Sequence, residues 1–177
     1  MAALVAALVL AACPEAPAGA VTGNAILTAA SLALVSAAPN VTFSDTLNGK
    51  DQTPTATQAI DVGDATGSGA GWDITATSTT FTTGSINLST TATTVQSTPA
   101  VACDSGATCA TATNTVTYPY TLPAAASAPT ATKVFNASAN TGMGNQTVTI
   151  TWQLSLPSST RSGSYTSTWT LSLVSGP

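Results

Sequence analysis

The residues of this chain that could do chemistry are few, and the first to weigh are Cys103 and Cys109 in "CDSGATC". Two thiols this close can close a small disulfide loop or supply two ligands to a metal. A structural zinc site takes four ligands, usually thiolate or imidazole. The chain has no histidine, and its remaining cysteine, Cys13, lies near the start. The pair therefore reads as a disulfide pinning a loop tip in an exported protein, with no metal. The lack of histidine also removes the commonest general base. Catalysis would then fall to paired carboxylates, an activated lysine or a reactive thiol. The carboxylates are Asp45, Asp51, Asp61, Asp64, Asp73, Asp104 and Glu15. Asp61 and Asp64, just before and at the start of the glycine loop "GDATGSGAG", could help hold calcium, but the further oxygen ligands of such a site are missing, so they read as a solvated turn. Gly63, Gly67, Gly69 and Gly71 read as turn glycines, because the lysine and helix of a phosphate loop do not follow them. Neither Lys50 nor Lys133 sits in a Ser-x-x-Lys pattern. The sequence thus predicts a protein that is not an enzyme and carries no cofactor.

Composition narrows the partners. Charged residues make up 6% of the chain, against about 25% in ordinary soluble domains, so solubility rests on Thr and Ser hydroxyls. The net charge is −4, and Lys50, Lys133 and Arg161 are the only basic residues. That set cannot neutralise a row of phosphates, which excludes nucleic acid as a partner, and it offers nothing to an anionic lipid surface. Many Thr and Ser with little charge would also suit a disordered stalk. The 44% hydrophobic content and clean period-2 segments argue instead for a packed β domain.

The elements that must position these residues begin behind a leader. Residues 2–12, "AALVAALVLAA", are too short for a comfortable membrane span and read as a signal-peptide core. Ala18-Gly19-Ala20 fits a small-x-small cleavage site, and Leu10-Ala11-Ala12-Cys13 resembles a bacterial lipobox, which makes Cys13 a candidate lipidation site. Both routes stay open, so residues 1–20 are assigned as a signal peptide or lipoprotein signal, and a membrane is touched only through that signal or lipid anchor. Residues 21–39 form an apolar N-terminal segment: buried strands, an apolar helix, or a stretch (residues 21–38) that pairs with another copy. From Val41 onward, short alternating segments separated by turn chemistry predict an all-β, two-sheet antiparallel sandwich of immunoglobulin-like type over residues 40–177. Asn48-Gly49 is a tight turn. Trp72, Ile74 and Ala76 share one face of "WDITATSTTF", and Pro119 implies an edge strand or a break.

The end of the chain is the clearest element. Val148, Ile150, Trp152, Leu154 and Leu156 share one face, and Tyr165, Trp169, Leu171 and Leu173 share another. Joined by "PSSTRSGS", they predict one hairpin in which Leu156 pairs with Tyr165 and Trp152 with Trp169. A facing aromatic pair would add about 0.5 to 1.5 kcal/mol beyond its burial. Trp72, Trp152 and Trp169 are accordingly candidates both for the core and for contact with a wall or partner.

The ordered set "LNGKDQT", "DATGSGAGWDI", "TGMGNQTVTITW" and "LPSSTRSGSYTSTWTLSL" resembles the WxL surface proteins of Gram-positive bacteria. The carboxy-terminal motif matches as Trp169-Thr170-Leu171 and the earlier one as Trp72-Asp73-Ile74, with isoleucine for leucine. Trp152-Gln153-Leu154 also satisfies the pattern. The resemblance implies a β-rich domain at the cell surface or wall, extracellular, bound noncovalently to peptidoglycan or to other surface proteins. The alternative function is a structural subunit that self-assembles into a filament or coat, with residues 21–38 added as a strand to a neighbouring copy.

Overall fold

The computed structural model describes residues 22–176. The expected signal region and Cys13 lie outside the described residues. Ten strands follow in chain order: β1 (Leu32–Leu34), β2 (Thr55–Asp64), β3 (Trp72–Thr79), β4 (Thr93–Val95), β5 (Ala100–Cys103), β6 (Tyr120–Thr121), β7 (Ala124–Ala125), β8 (Thr132–Ala137), β9 (Gly144–Leu154) and β10 (Trp169–Ser175). They form the two-sheet, predominantly antiparallel sandwich that the alternating segments predict. One sheet runs β1-β2-β9-β4-β6, with β5 also on β9; the other runs β10-β3-β7, with β8 also on β3.

Period-2 patterning decides which side chains enter the space between the sheets. On β9, Gln146, Val148, Ile150, Trp152 and Leu154 point inward and are buried; Thr147, Thr149, Thr151 and Gln153 face out. On β3 the inward set is Trp72, Ile74, Ala76 and Ser78. Ile60 and Val62 from β2 and Val134 and Phe135 from β8 complete most of the core.

The structure corrects the predicted terminal hairpin. β9 pairs with β2, β4 and β5, whereas β10 pairs with β3, so the two strands lie in different sheets. Leu156 bridges Gln52 rather than Tyr165, and Thr166 bridges Thr82. Trp152 and Trp169 still face one another, with ring centroids 4.9 Å apart and planes at 76°, but across the sandwich. An alternating apolar face specifies burial, and a facing sheet satisfies it as well as a neighbouring strand does. A second correction concerns the glycine run. Gly63 lies within β2, not in a turn. Asp64 is a buried strand end whose Oδ1 accepts from Thr66 N and Oγ1, rather than part of a solvated turn.

The apolar segment before the domain is partly built into it. β1 pairs antiparallel with the end of β2, Leu32 opposite Asp64 and Leu34 opposite Val62. Ala30 N–H donates to Ala65 O and Val35 N–H to Asp61 O, each at 2.9 Å. Residues 22–29 continue outward from this strand with exposed side chains.

Candidate functional site

Each tryptophan is positioned by the strand that carries it. Trp72 opens β3 directly after Gly71, whose φ of +78° is reached without strain only by glycine. It is fully buried, its Nε1–H donates to Gly142 O at 2.9 Å, and its ring lies 5.9 Å from that of Phe135. Gly142 is held close: a Cβ there would lie 2.6 Å from Trp72 Nε1 and 2.4 Å from Ala137 Cβ. Trp152 is equally buried. Its Nε1–H donates to Gln58 Oε1 at 2.9 Å, and Gln58 Nε2 in turn donates to Pro39 O at 2.7 Å. Both indole N–H groups are thus satisfied inside the protein, as buried donors must be.

Trp169 is different. It is half-buried and is the third ring in a series of four joined by edge-to-face contacts. Phe43 meets Phe81 at 6.0 Å, Phe81 meets Trp169 at 6.3 Å, and Trp169 meets Trp152 at 4.9 Å. Phe43, Phe81 and Trp169 line one side of an open cleft of about 1310 Å³ at the seam between the two sheets. Its other walls are the segment 37–47, the loop 160–167 and the ends of β1, β9 and β10, with Tyr165, Arg161 and Asp45 among the polar groups at its surface. Tyr165 Oη donates to Arg161 O at 2.9 Å, which holds the loop closed on itself.

Segment 37–47 is an extended stretch that joins neither sheet. Val41 and Phe43 turn inward against the core, and two glutamines hold its backbone: Gln58 at Pro39 and Gln52, whose Nε2 donates to Thr46 O at 2.9 Å. Sequence reading missed Phe43, Phe81 and Gln58. For Gln58 a signal existed, since a polar residue occupies the same parity as Ile60 and Val62 on a strand face that is otherwise apolar.

Among the described residues, no three His, Cys, Asp or Glu side chains converge on a common point. Cys103, the last residue of β5, and Cys109 form a disulfide that closes the loop after that strand. Burial pushes the Asp61 carboxyl up, and the nearby Asp104 carboxylate adds to the shift. Burial pushes the Tyr118 phenol up to about 12, with its Oη donating to Val134 O, and raises Tyr120 as well. Both phenols are neutral packing groups. Asp73, in the segment expected to carry the earlier motif, lies on the outer face of β3 but is only 9% exposed, and it pairs with Lys133 at 2.9 Å.

The sequence model of the WxL family, described as a surface cell wall-binding domain, matches residues 23–177. The chain belongs to this family. The match covers both sheets, including the strand β1, and the segment over the seam. No curated protein and no solved structure matches the chain. The two segments expected to carry the motif, at Trp72 and Trp169, lie on neighbouring strands of one sheet, with Leu171 opposite Ala76 and Ser175 opposite Trp72.

Proposed function

We propose that this WxL domain is a non-catalytic, extracellular attachment module that takes a segment of peptidoglycan glycan into the cleft at Trp169. The observation that carries this reading is the unequal burial of the tryptophans. Trp72 and Trp152 have no surface to offer, while Trp169 lies half-exposed in a cleft with Phe43, Phe81 and Tyr165. Sugar rings present apolar C–H faces and a hydroxyl rim, which suits aromatic walls bordered by Thr and Ser. A cleft of about 1310 Å³ is larger than the roughly 300–1,000 Å³ of small-molecule pockets, which favours a stretch of polymer. The disulfide supports export, since such bonds persist in oxidising compartments.

The test is co-sedimentation with Gram-positive sacculi. Arg161→Ala and Tyr165→Ala remove groups at the mouth, and Trp169→Ala removes the wall of the cleft. The expected result is binding by the parent chain, at least about tenfold weaker binding in each cleft variant, or roughly 1.4 kcal/mol, and parental binding in Lys133→Ala on the distant sheet face. Parental affinity in the Arg161 and Tyr165 variants, both at partly or fully exposed positions, would refute the assignment of the cleft.

A further inference from the structure

Among the described residues, five large apolar side chains are exposed: Ile26 at 94%, Leu27 at 93%, Val35 at 53%, Leu47 at 40% and Val174 at 47%. Three of the five belong to two features that match each other. Ile26 and Leu27 sit on the arm formed by residues 22–29, which lies outside both sheets. Val174 sits on β10, an edge strand whose only ladder partner among the described residues is β3.

Exposed edges in natural sheets are guarded by charge, proline, a bulge or a cover, because unpaired N–H and C=O groups otherwise recruit another strand. β10 has none of the first three, and β1 of the same chain, which packs beside it, forms no ladder with it among the described residues. Its sequence "WTLSLVS" contains no charged residue and no proline, and its register on β3 is unbroken over seven residues. The arm "TGNAILTA" is likewise free of charge and proline.

We infer that the arm of one copy adds as a strand to the free edge of β10 in a second copy. Eight extended residues span about 26 Å, enough to follow the whole of a seven-residue strand. Successive side chains of a strand point to opposite faces, so Ile26 and Leu27 emerge on opposite sides. One then covers half-buried Leu171 and Leu173 on the inner face, and the other covers Val174 on the outer face. The arm does not reach its own β10. It continues β1 beyond Ala30, which is bonded to Ala65 at the end where β10 also finishes, with Gly176 N–H on Gly71 O. Folding back would require the chain to reverse at residue 30 and break that bond. Residues 30–35 are already paired on β2, so residues 22–29 are the donor and main-chain pairing is the mode of recognition.

Sedimentation velocity on the full chain over a concentration series tests this, with the parent compared with Ile26→Asp/Leu27→Asp and with Val174→Lys. All three positions are exposed, so circular dichroism and melting temperature should match the parent. The parent is expected to associate, and each variant to weaken association at least about thirtyfold, the worth of one buried aliphatic side chain. A parent that stays monomeric up to about 1 mM, the weak end of specific association, overturns the inference. So does association that neither variant changes. Loss in the arm variant alone overturns the choice of β10 as acceptor. The β10 edge also walls the cleft, whereas Ile26, Leu27 and Val174 do not line it, so sacculus binding by both variants should be no weaker than the parent's, which separates this outcome from that of the cleft.

Discussion

Gln58→Leu tests the link between the core and the segment that walls the cleft. Gln58 is 3% exposed and bonds in two directions, accepting from Trp152 Nε1 at 2.9 Å and donating to Pro39 O at 2.7 Å. Leucine keeps most of the volume and removes both bonds. The two losses are unequal. Pro39 is exposed, so water can satisfy its carbonyl, at a cost of about 0.5 kcal/mol. Trp152 is fully buried, and its N–H would be left without an acceptor, at about 1–3 kcal/mol. With part of this offset by the added apolar contact, the expected destabilisation is about 2 kcal/mol. For a domain of this size that corresponds to roughly 4–8 °C in Tm. Urea unfolding of Gln58→Leu, Trp152→Phe and the double variant gives the cycle. Phenylalanine removes the donor, so the double variant should lose at least about 1 kcal/mol less than the sum of the singles. Amide exchange across residues 40–46 should quicken in Gln58→Leu. Strict additivity, or a loss under about 0.5 kcal/mol, the scale of neutral surface changes, would refute the reasoning.

Three further outcomes follow from the same geometry. Gly142→Ala combines a φ of +78° with a Cβ 2.4 Å from Ala137 Cβ and 2.6 Å from Trp72 Nε1; it should cost at least about 2 kcal/mol, measured by thermal unfolding. Burial and then Asp104 hold the Asp61 pKa above its ordinary value, so the folded chain keeps that proton more tightly than the unfolded chain does. This contribution is full at acid pH and is lost as pH rises through the raised pKa, and Asp61→Asn should flatten that fall and be more stable than the parent at neutral pH in a pH series of melts. Cys103→Ala/Cys109→Ala opens a loop with a sequence separation of 6, and the chain-entropy relation puts the loss at about 2 kcal/mol, read by urea unfolding beside the reduced parent.

What the sequence made legible is what a single strand can encode. The alternation in β9 and β3 names the buried faces, and the facing of Trp152 and Trp169 follows from both lying on apolar faces. Which strand pairs with which is a different kind of information. β9 finds β2, whose Ile60 lies opposite Val148, and the pairing is selected by summed burial rather than by any local turn. The terminal segments looked like a hairpin because they are adjacent in sequence and share a parity. The seam was less legible still. Phe43 and Phe81 come from stretches without regular structure, where no period marks the inward residue, and only the inward-phase Gln58 hinted that a polar link was needed there. Between residues 84 and 130 the strands are two to four residues long, too short for alternation to rise above chance.

The spacing of the motif itself has a physical reading in this fold. On a strand, positions one and three of W-x-L point to the same side. Trp72 and Ile74 on β3, Trp152 and Leu154 on β9, and Trp169 and Leu171 on β10 all point toward the space between the sheets, from three strands in two sheets. The middle residues Asp73, Gln153 and Thr170 face outward. The pattern is therefore first a statement about packing, which explains why isoleucine serves at position 74, where it is 1% exposed and a branched aliphatic of equal volume fills the same space. It also explains why Trp152-Gln153-Leu154 fits the motif: it plays the same part from the opposite sheet. Packing alone would bury all three tryptophans equally. Trp169 departs from that expectation because the strand beside it is missing from the edge and segment 37–47 stands off from the ladder, which leaves the cleft that we propose for contact.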